Sequence, residues 1–127
     1  MTILLSSPIL IVDNSSAARE IVRKLLTQIG YKNIDEVTDG AAALTKISEK
    51  KYDLVISEWN TSPIDGRAFL TQLRADRKYE NLSVIIMSAN SAINKVVQAS
   101  RAGANGFISK PFDAEALQAK ISEIIVK

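Results

Sequence analysis

The sequence predicts an α/β fold, a (βα)5 chain wound into a five-stranded, doubly wound parallel sheet. Five short apolar runs recur along the chain, each followed by an apolar stripe at helical spacing. Within the runs polar and apolar residues do not alternate, which is the pattern of strands covered on both faces. No linker, repeat or low-complexity stretch separates them, so residues 1–127 are expected to form a single domain. Right-handed crossovers then place helices on both sides of the sheet.

The first strand is Pro8-Ile-Leu-Ile-Val12. The helix after it carries Ala18, Ile21, Val22, Leu25, Leu26 and Ile29, spaced i, i+3, i+4, i+7, i+8, i+11, and Gly30 stands where a left-handed cap belongs. The second strand, Asn33 to Thr38, is mixed, and Ala43, Leu44 and Ile47 mark the helix after it. Tyr52-Asp-Leu-Val-Ile-Ser57 is the third strand, followed by the turn signal Pro63-Ile-Asp-Gly66 and a helix marked by Phe69, Leu70 and Leu73. Leu82-Ser-Val-Ile-Ile-Met87 is the most apolar run, and its helix carries Ile93, Val96 and Val97 and stops near Gly103. Asn105 to Ser109 is the last strand, and Asp113 caps a final helix marked by Leu117, Ile121, Ile124 and Ile125.

Composition narrows the chemistry. At 46% hydrophobic residues the chain can bury a core. Without Cys there is no disulfide framework, thiol nucleophile or zinc finger. Without His there is no imidazole base and no histidine phosphocarrier. The net charge is +2, and no basic run exceeds two residues, so the clustered footprint of a nucleic-acid binder is missing. The start is apolar but has no Lys or Arg before Arg19, unlike a secretory signal, and no apolar run reaches the ~18–20 residues of a membrane span. A cytoplasmic chain binding neither nucleic acid nor membrane is expected.

In this architecture ligands bind at the carboxyl ends of the strands, near the point where strand order reverses. The residues there are Asp13-Asn14 after the first strand and Glu58-Trp59-Asn60 after the third. Ser88-Ala89-Asn90 follow the fourth, and Lys110-Pro111-Phe112 the fifth. Taken one at a time, each has an ordinary reading. Asp13-Asn14 would cap the first helix, Ser88 would cap the fourth, and Lys110 would be solvated or paired with Glu58. Together they sit on one sheet edge and point to a shared polar pocket. The first turn has no G-x-G-x-x-G, and no P-loop is present. A haloacid-dehalogenase-type phosphatase would need a second Asp two residues after the first, where this chain has Ser15.

On these residues the chain resembles the receiver domain of two-component response regulators, especially the stand-alone chemotaxis (CheY-like) members. The resemblance covers about residues 8–126. It rests on Ile-Val-Asp13-Asn14, Ile-Ser-Glu58-Trp-Asn60, Asp65-Gly66, Met-Ser88-Ala89 and the run from Ala102 through Phe107 to Lys110-Pro111-Phe112. It implies a flavodoxin-like receiver fold and a switch rather than an enzyme. It also implies a partner, a histidine kinase or a downstream target, that docks on the face made by the fourth helix, fifth strand and fifth helix. Lys95, Gln98, Phe107 and Lys110 would contribute to that face. A monomer is expected, and with no output domain after Lys127 any effect would pass through partners. The family's roles fall on Glu58 as phosphoacceptor position, Asp13, Asn14, Glu58 and Asn60 around Mg2+, Ser88 and Lys110 on the phosphoryl oxygens, and Phe107 as switch aromatic. For Phe107, plain core packing is an equal reading. Trp59 is expected to lie exposed beside the pocket.

Two positions depart from the family pattern. Glu58 replaces the acceptor Asp, and Asn14 replaces the second metal acid. The longer Glu side chain displaces the nucleophile, and in-line transfer needs reacting atoms at roughly 3–3.5 Å. A family pocket of three carboxylates and one Lys is formally −2, whereas Asp13, Glu58 and Lys110 make −1. Carboxylate charge holds hard cations, so Mg2+ binding is expected to be weak or absent. The expected function is a phosphorylation-independent interaction switch, a pseudo-receiver, with no residue assigned as catalytic. Three alternatives stay open: a receiver still phosphorylated on Glu58 in a weakened Mg2+-dependent reaction, an introduced phosphomimetic substitution, and a small hydrolase with Asp13 as nucleophile.

Overall fold

The computed structural model describes residues 3–90 and 92–126, and for 125 and 126 the backbone alone. Met1, Thr2, Ser91 and Lys127 therefore lie outside it, as does the side chain of Ile125. The strands are β1 (Ile9–Val12), β2 (Ile34–Val37), β3 (Leu54–Glu58), β4 (Ser83–Ser88) and β5 (Gly106–Ser109). They alternate with α1 (Ser16–Ile29), α2 (Gly40–Glu49), α3 (Gly66–Ala75), α4 (Ile93–Ala102) and α5 (Ala114–Val126). The five strands pair in parallel in the order β2-β1-β3-β4-β5. The strand order reverses between β1 and β3.

Because successive side chains of a strand point to opposite faces, each strand feeds two cores. Ile9, Ile11, Leu54, Ile56, Ile85, Met87 and Ile108 face α1 and α5, where Val22, Leu26, Leu117 and Ile121 close over them. Leu10, Val12, Val55, Val84 and Ile86 face the other way, against Ala43 and Ile47 of α2, Phe69, Leu70 and Leu73 of α3, and Ala99 of α4. Burial on both faces accounts for the unalternating apolar runs.

The predicted helix boundaries are met by local chemistry. Gly30 closes α1 at φ 123°, a conformation open to glycine and strained for other residues. Asp39, Asp65 and Asp113 each accept a backbone N–H three residues on, at 2.9, 2.8 and 2.8 Å. Strand boundaries differ from the sequence reading: β1, β2 and β5 are trimmed by one residue at an end or at both. β3 runs on to Glu58 and begins after Tyr52, and β4 is displaced by one residue to include Ser88. A single 3-10 turn, Arg77–Tyr79, was not anticipated; Asp76 caps it through Lys78 N–H. The peptides before Pro63 and Pro111 are cis.

Candidate functional site

Strand register brings the polar residues of the carboxyl edge together. Val12 of β1 lies beside Ser57 of β3, so Asp13 stands next to Glu58 across the point where strand order reverses. Glu58 in turn lies beside Met87, and Ser88 beside Ser109. Lys110, one residue past β5, therefore comes back over the edge toward Asp13 and Glu58.

Lys110 Nζ sits between the two carboxylates, 2.8 Å from Asp13 Oδ2 and 2.6 Å from Glu58 Oε1. The remaining oxygens are also occupied. Asp13 Oδ1 accepts the Ser15 N–H at 3.0 Å, and Glu58 Oε2 accepts the Asn60 N–H at 3.1 Å. Each of the four carboxylate oxygens thus has an N–H partner inside the protein. Asp13 is buried, 4% exposed, so its charge depends on these partners. Burial alone acts to lower the Lys110 pKa, but the Asp13 and Glu58 carboxylates outweigh it and hold the ammonium above the ordinary lysine value.

Asn14 does something a carboxylate cannot. Its amide Nδ2 donates to the Thr38 carbonyl at 2.8 Å and to the Ser62 carbonyl at 3.1 Å, while its Oδ1 accepts the Ser62 N–H at 3.1 Å. The loops after β1, β2 and β3 are tied together through this one side chain. Asn60 is exposed and meets Glu58 through its backbone N–H. Ser88 is fully buried, and its hydroxyl accepts the Asn90 N–H at 3.1 Å. Phe107 is partly buried against the core on the α2–α4 side and helps line a cavity of about 180 Å³ with Val96, Ala99 and Ala104.

Several simple readings of these residues change. Ser15, not Asp13 or Asn14, caps α1, accepting the Ala18 N–H at 3.1 Å. Ser88 does not cap α4, whose first turn has no side-chain cap. Of the two readings of Lys110, the pairing with Glu58 is the one found, and Asp13 shares it. The expectation that Trp59 lies exposed is wrong. It is 4% exposed and packs within the core on the α2–α4 side. The reason is the chain's immediate reversal after β3: Gly66 N–H donates to the Trp59 carbonyl at 2.7 Å, folding the start of α3 over the indole.

One residue at the edge was not singled out from the sequence. Arg19 donates from Nη1 to the Asp13 carbonyl at 2.7 Å and from Nε to Glu36 at 3.0 Å, bracing the backbone that presents Asp13. A basic residue one turn into the helix after Asp13 was the available signal. Among the described residues no group of three or more His, Cys, Asp or Glu side chains converges.

The comparisons with known proteins agree on one family. The model of the response regulator receiver domain matches residues 9–122. The chain is similar to chemotaxis protein CheY-3 of Vibrio cholerae, 37% identical over 116 residues, covering 91% of this chain and 89% of that protein. It is also similar to chemotaxis protein CheY of Pseudomonas aeruginosa, at 35% identity over 91% of this chain and 94% of that one. Among solved structures, the chemotaxis response regulator CheY4 of Vibrio cholerae superposes with a TM-score of 0.86 at 26% identity, covering 94% of this chain and 98% of that one. The match across nearly all of β1 to α5, with the CheY strand order, shows that the chain belongs to the response regulator receiver domain family of two-component signalling, and that it is CheY-like.

Proposed function

We propose that this receiver is a pseudo-receiver, a protein-interaction switch that works without phosphorylation. The observation that carries this reading is Lys110 Nζ held between Asp13 and Glu58. An ammonium in that position supplies the cationic charge that Mg2+ would bring to a family pocket. The donor set also does not suit a hard cation. Both carboxylates already have an N–H on every oxygen, and the Asn14 amide points its donors at carbonyls. Mg2+ would have to displace Lys110, and would then meet two carboxylates where a family pocket has three. No step of the switch is therefore routed through a metal.

Glu58 is a poor acceptor for a second reason. Its carboxylate is drawn onto Lys110 and the Asn60 N–H, and one extra methylene removes it from the in-line position of an Asp. Nor does a single −1 carboxylate reproduce the charge and oxygen count of a phosphoryl group. Partner binding alone is then what sets the state of the switch.

The surface offered to that partner is the α4–β5–α5 face. Ile93 and Val97 of α4 are exposed apolar residues, 82% and 40%. A histidine kinase or a downstream target is the partner class, chemotaxis the setting that the relatives suggest, and the cytoplasm the compartment. A single domain spanning 1–127 acting as a monomer completes the reading. Among the described residues no helix is long and apolar enough to cross a membrane.

Incubation with acetyl phosphate and Mg2+, followed by intact mass measurement, tests the proposal. The mass should stay unchanged. A stoichiometric phosphoryl adduct lost on Glu58→Gln would establish the competing reading, a working acceptor on Glu58.

A further inference from the structure

The opposite edge of the sheet carries a second cavity, of about 310 Å³, lined by the end of α2, the segment leading into β3 and the segment leading into β4. That size falls at the lower end of the roughly 300–1,000 Å³ typical of small-molecule sites. Its floor is apolar: Ile47, Tyr52 and Leu82 are all buried. Its rim is cationic. Lys50, Lys51 and Lys78 face a single lining carboxylate, Glu49.

The three lysines are not equivalent. Lys50 is already held by Asp35 at 2.8 Å, and the same carboxylate accepts the Tyr52 hydroxyl at 2.5 Å. Lys51 and Lys78 have no carboxylate partner among the described residues. Lys78 instead lies over the Tyr79 ring, 5.6 Å from its centroid, as Lys50 lies 5.4 Å from that of Tyr52. Two aromatic rings and two uncommitted ammonium groups thus surround one recess. Lysines act as point charges for phosphate oxygens, and tyrosine rings give broad, rigid apolar contact.

We propose that this cavity binds a small anion with a flat apolar body, of the nucleoside monophosphate class. Lys51 and Lys78 would take the phosphate, and the wall formed by Ile47, Tyr52, Tyr79 and Leu82 would take the ring. The site is separate from the pocket at Glu58. Tyr52 precedes β3 and Glu58 ends it, so five strand residues, roughly 17 Å at ~3.3 Å each, lie between them.

The test is a titration of the intact chain with adenosine 5′-monophosphate, followed by backbone amide NMR. The expected result is saturable shifts confined to Ser48–Tyr52 and Lys78–Leu82. Adenosine and inorganic phosphate, each alone, should bind more weakly. Lys51→Glu combined with Lys78→Glu should weaken binding by about tenfold or more. Lys95→Glu, on α4 and outside the cavity lining, should leave it unchanged. Glu58→Asp should also leave it unchanged, which separates this site from the function proposed for the other edge. Absence of shifts at millimolar nucleotide would overturn the proposal. So would inorganic phosphate binding as tightly as the nucleotide, or shifts that persist in the double lysine variant.

Discussion

Asn14 and Ser62 hold each other by two hydrogen bonds: the amide Nδ2 donates to the Ser62 carbonyl and the Ser62 N–H donates to Oδ1, both at 3.1 Å. The pair explains why an amide suits this position. The loop after β3 is anchored by a group that both donates and accepts, and the same Nδ2 also reaches the Thr38 carbonyl.

Asn14→Asp removes the donor and sets a carboxylate against two carbonyl oxygens. It should lower the stability of the metal-free chain by about 1–2 kcal/mol, read from urea unfolding midpoints. The same substitution brings the pocket to the family's formal −2, so millimolar Mg2+ should raise the melting temperature of the variant and leave that of the parent unchanged. A parent chain stabilised as much as the variant would contradict the account of the donor set.

Lys110→Met keeps the stem and removes the charge. Asp13 and Glu58 then face each other with no cation between them, and Asp13 is buried. Stability at neutral pH should fall by about 2–3 kcal/mol, less than for a fully buried pair because Lys110 keeps some solvent contact. An unchanged urea unfolding midpoint would show that the two carboxylates do not depend on Lys110.

The acid limb of stability should come from β2. The hydrogen bond from Arg23 holds the Glu36 carboxyl below its usual range despite the opposing effect of burial, with Arg19 adding to it. Lys50 and then Tyr52 do the same for Asp35. For a depressed carboxylate the stabilisation is present above the unfolded value and lost as pH falls through the folded one. Unfolding midpoints should therefore decline below about pH 4, where free Asp and Glu titrate. Glu36→Gln should flatten that decline. Lys110 has the opposite sign: its raised value means that its stabilisation holds below the ordinary lysine range and disappears as pH rises through the higher folded value.

Trp59 should emit at short wavelength and resist iodide quenching, since the indole is packed under α3. Gly66→Ala would place a Cβ 3.0 Å from Trp59 Cα and 3.2 Å from the Glu58 carbonyl. Backbone atoms cannot retreat as a flexible side-chain end can, so about 1–3 kcal/mol of destabilisation is expected, with a red shift of the emission. An unchanged spectrum would mean that the α3 start does not cover the ring.

The repeated apolar runs, the turn signal at 63–66, the Asp cap at 113 and the glycine at 30 carried the fold in plain view, because each is a local requirement. Backbone geometry within a few residues decides it. The edge residues Asp13, Glu58, Ser88 and Lys110 were legible as well, since a parallel sheet sends every strand's carboxyl end the same way. Trp59 was not: an aromatic beside a polar residue looks the same on either side of the chain, and the turn to Gly66 chose the buried side. The reach of Arg19 to the Asp13 carbonyl depends on how α1 sits against β1.

The sequence by itself determined the order of elements, the two-faced burial of the strands and the absence of His and Cys chemistry. Tertiary structure alone decided that Lys110 divides itself between Asp13 and Glu58, that Asn14 clamps Ser62 and Thr38, and that the end of α2 and the segment leading into β4 line one recess on the opposite edge. Those partnerships join residues 24 to 97 positions apart in the pairs Asn14–Thr38 and Asp13–Lys110. Hydrogen bonds and ion pairs act over about 3 Å, so their partners become definite only when strand register and helix packing have set the distances.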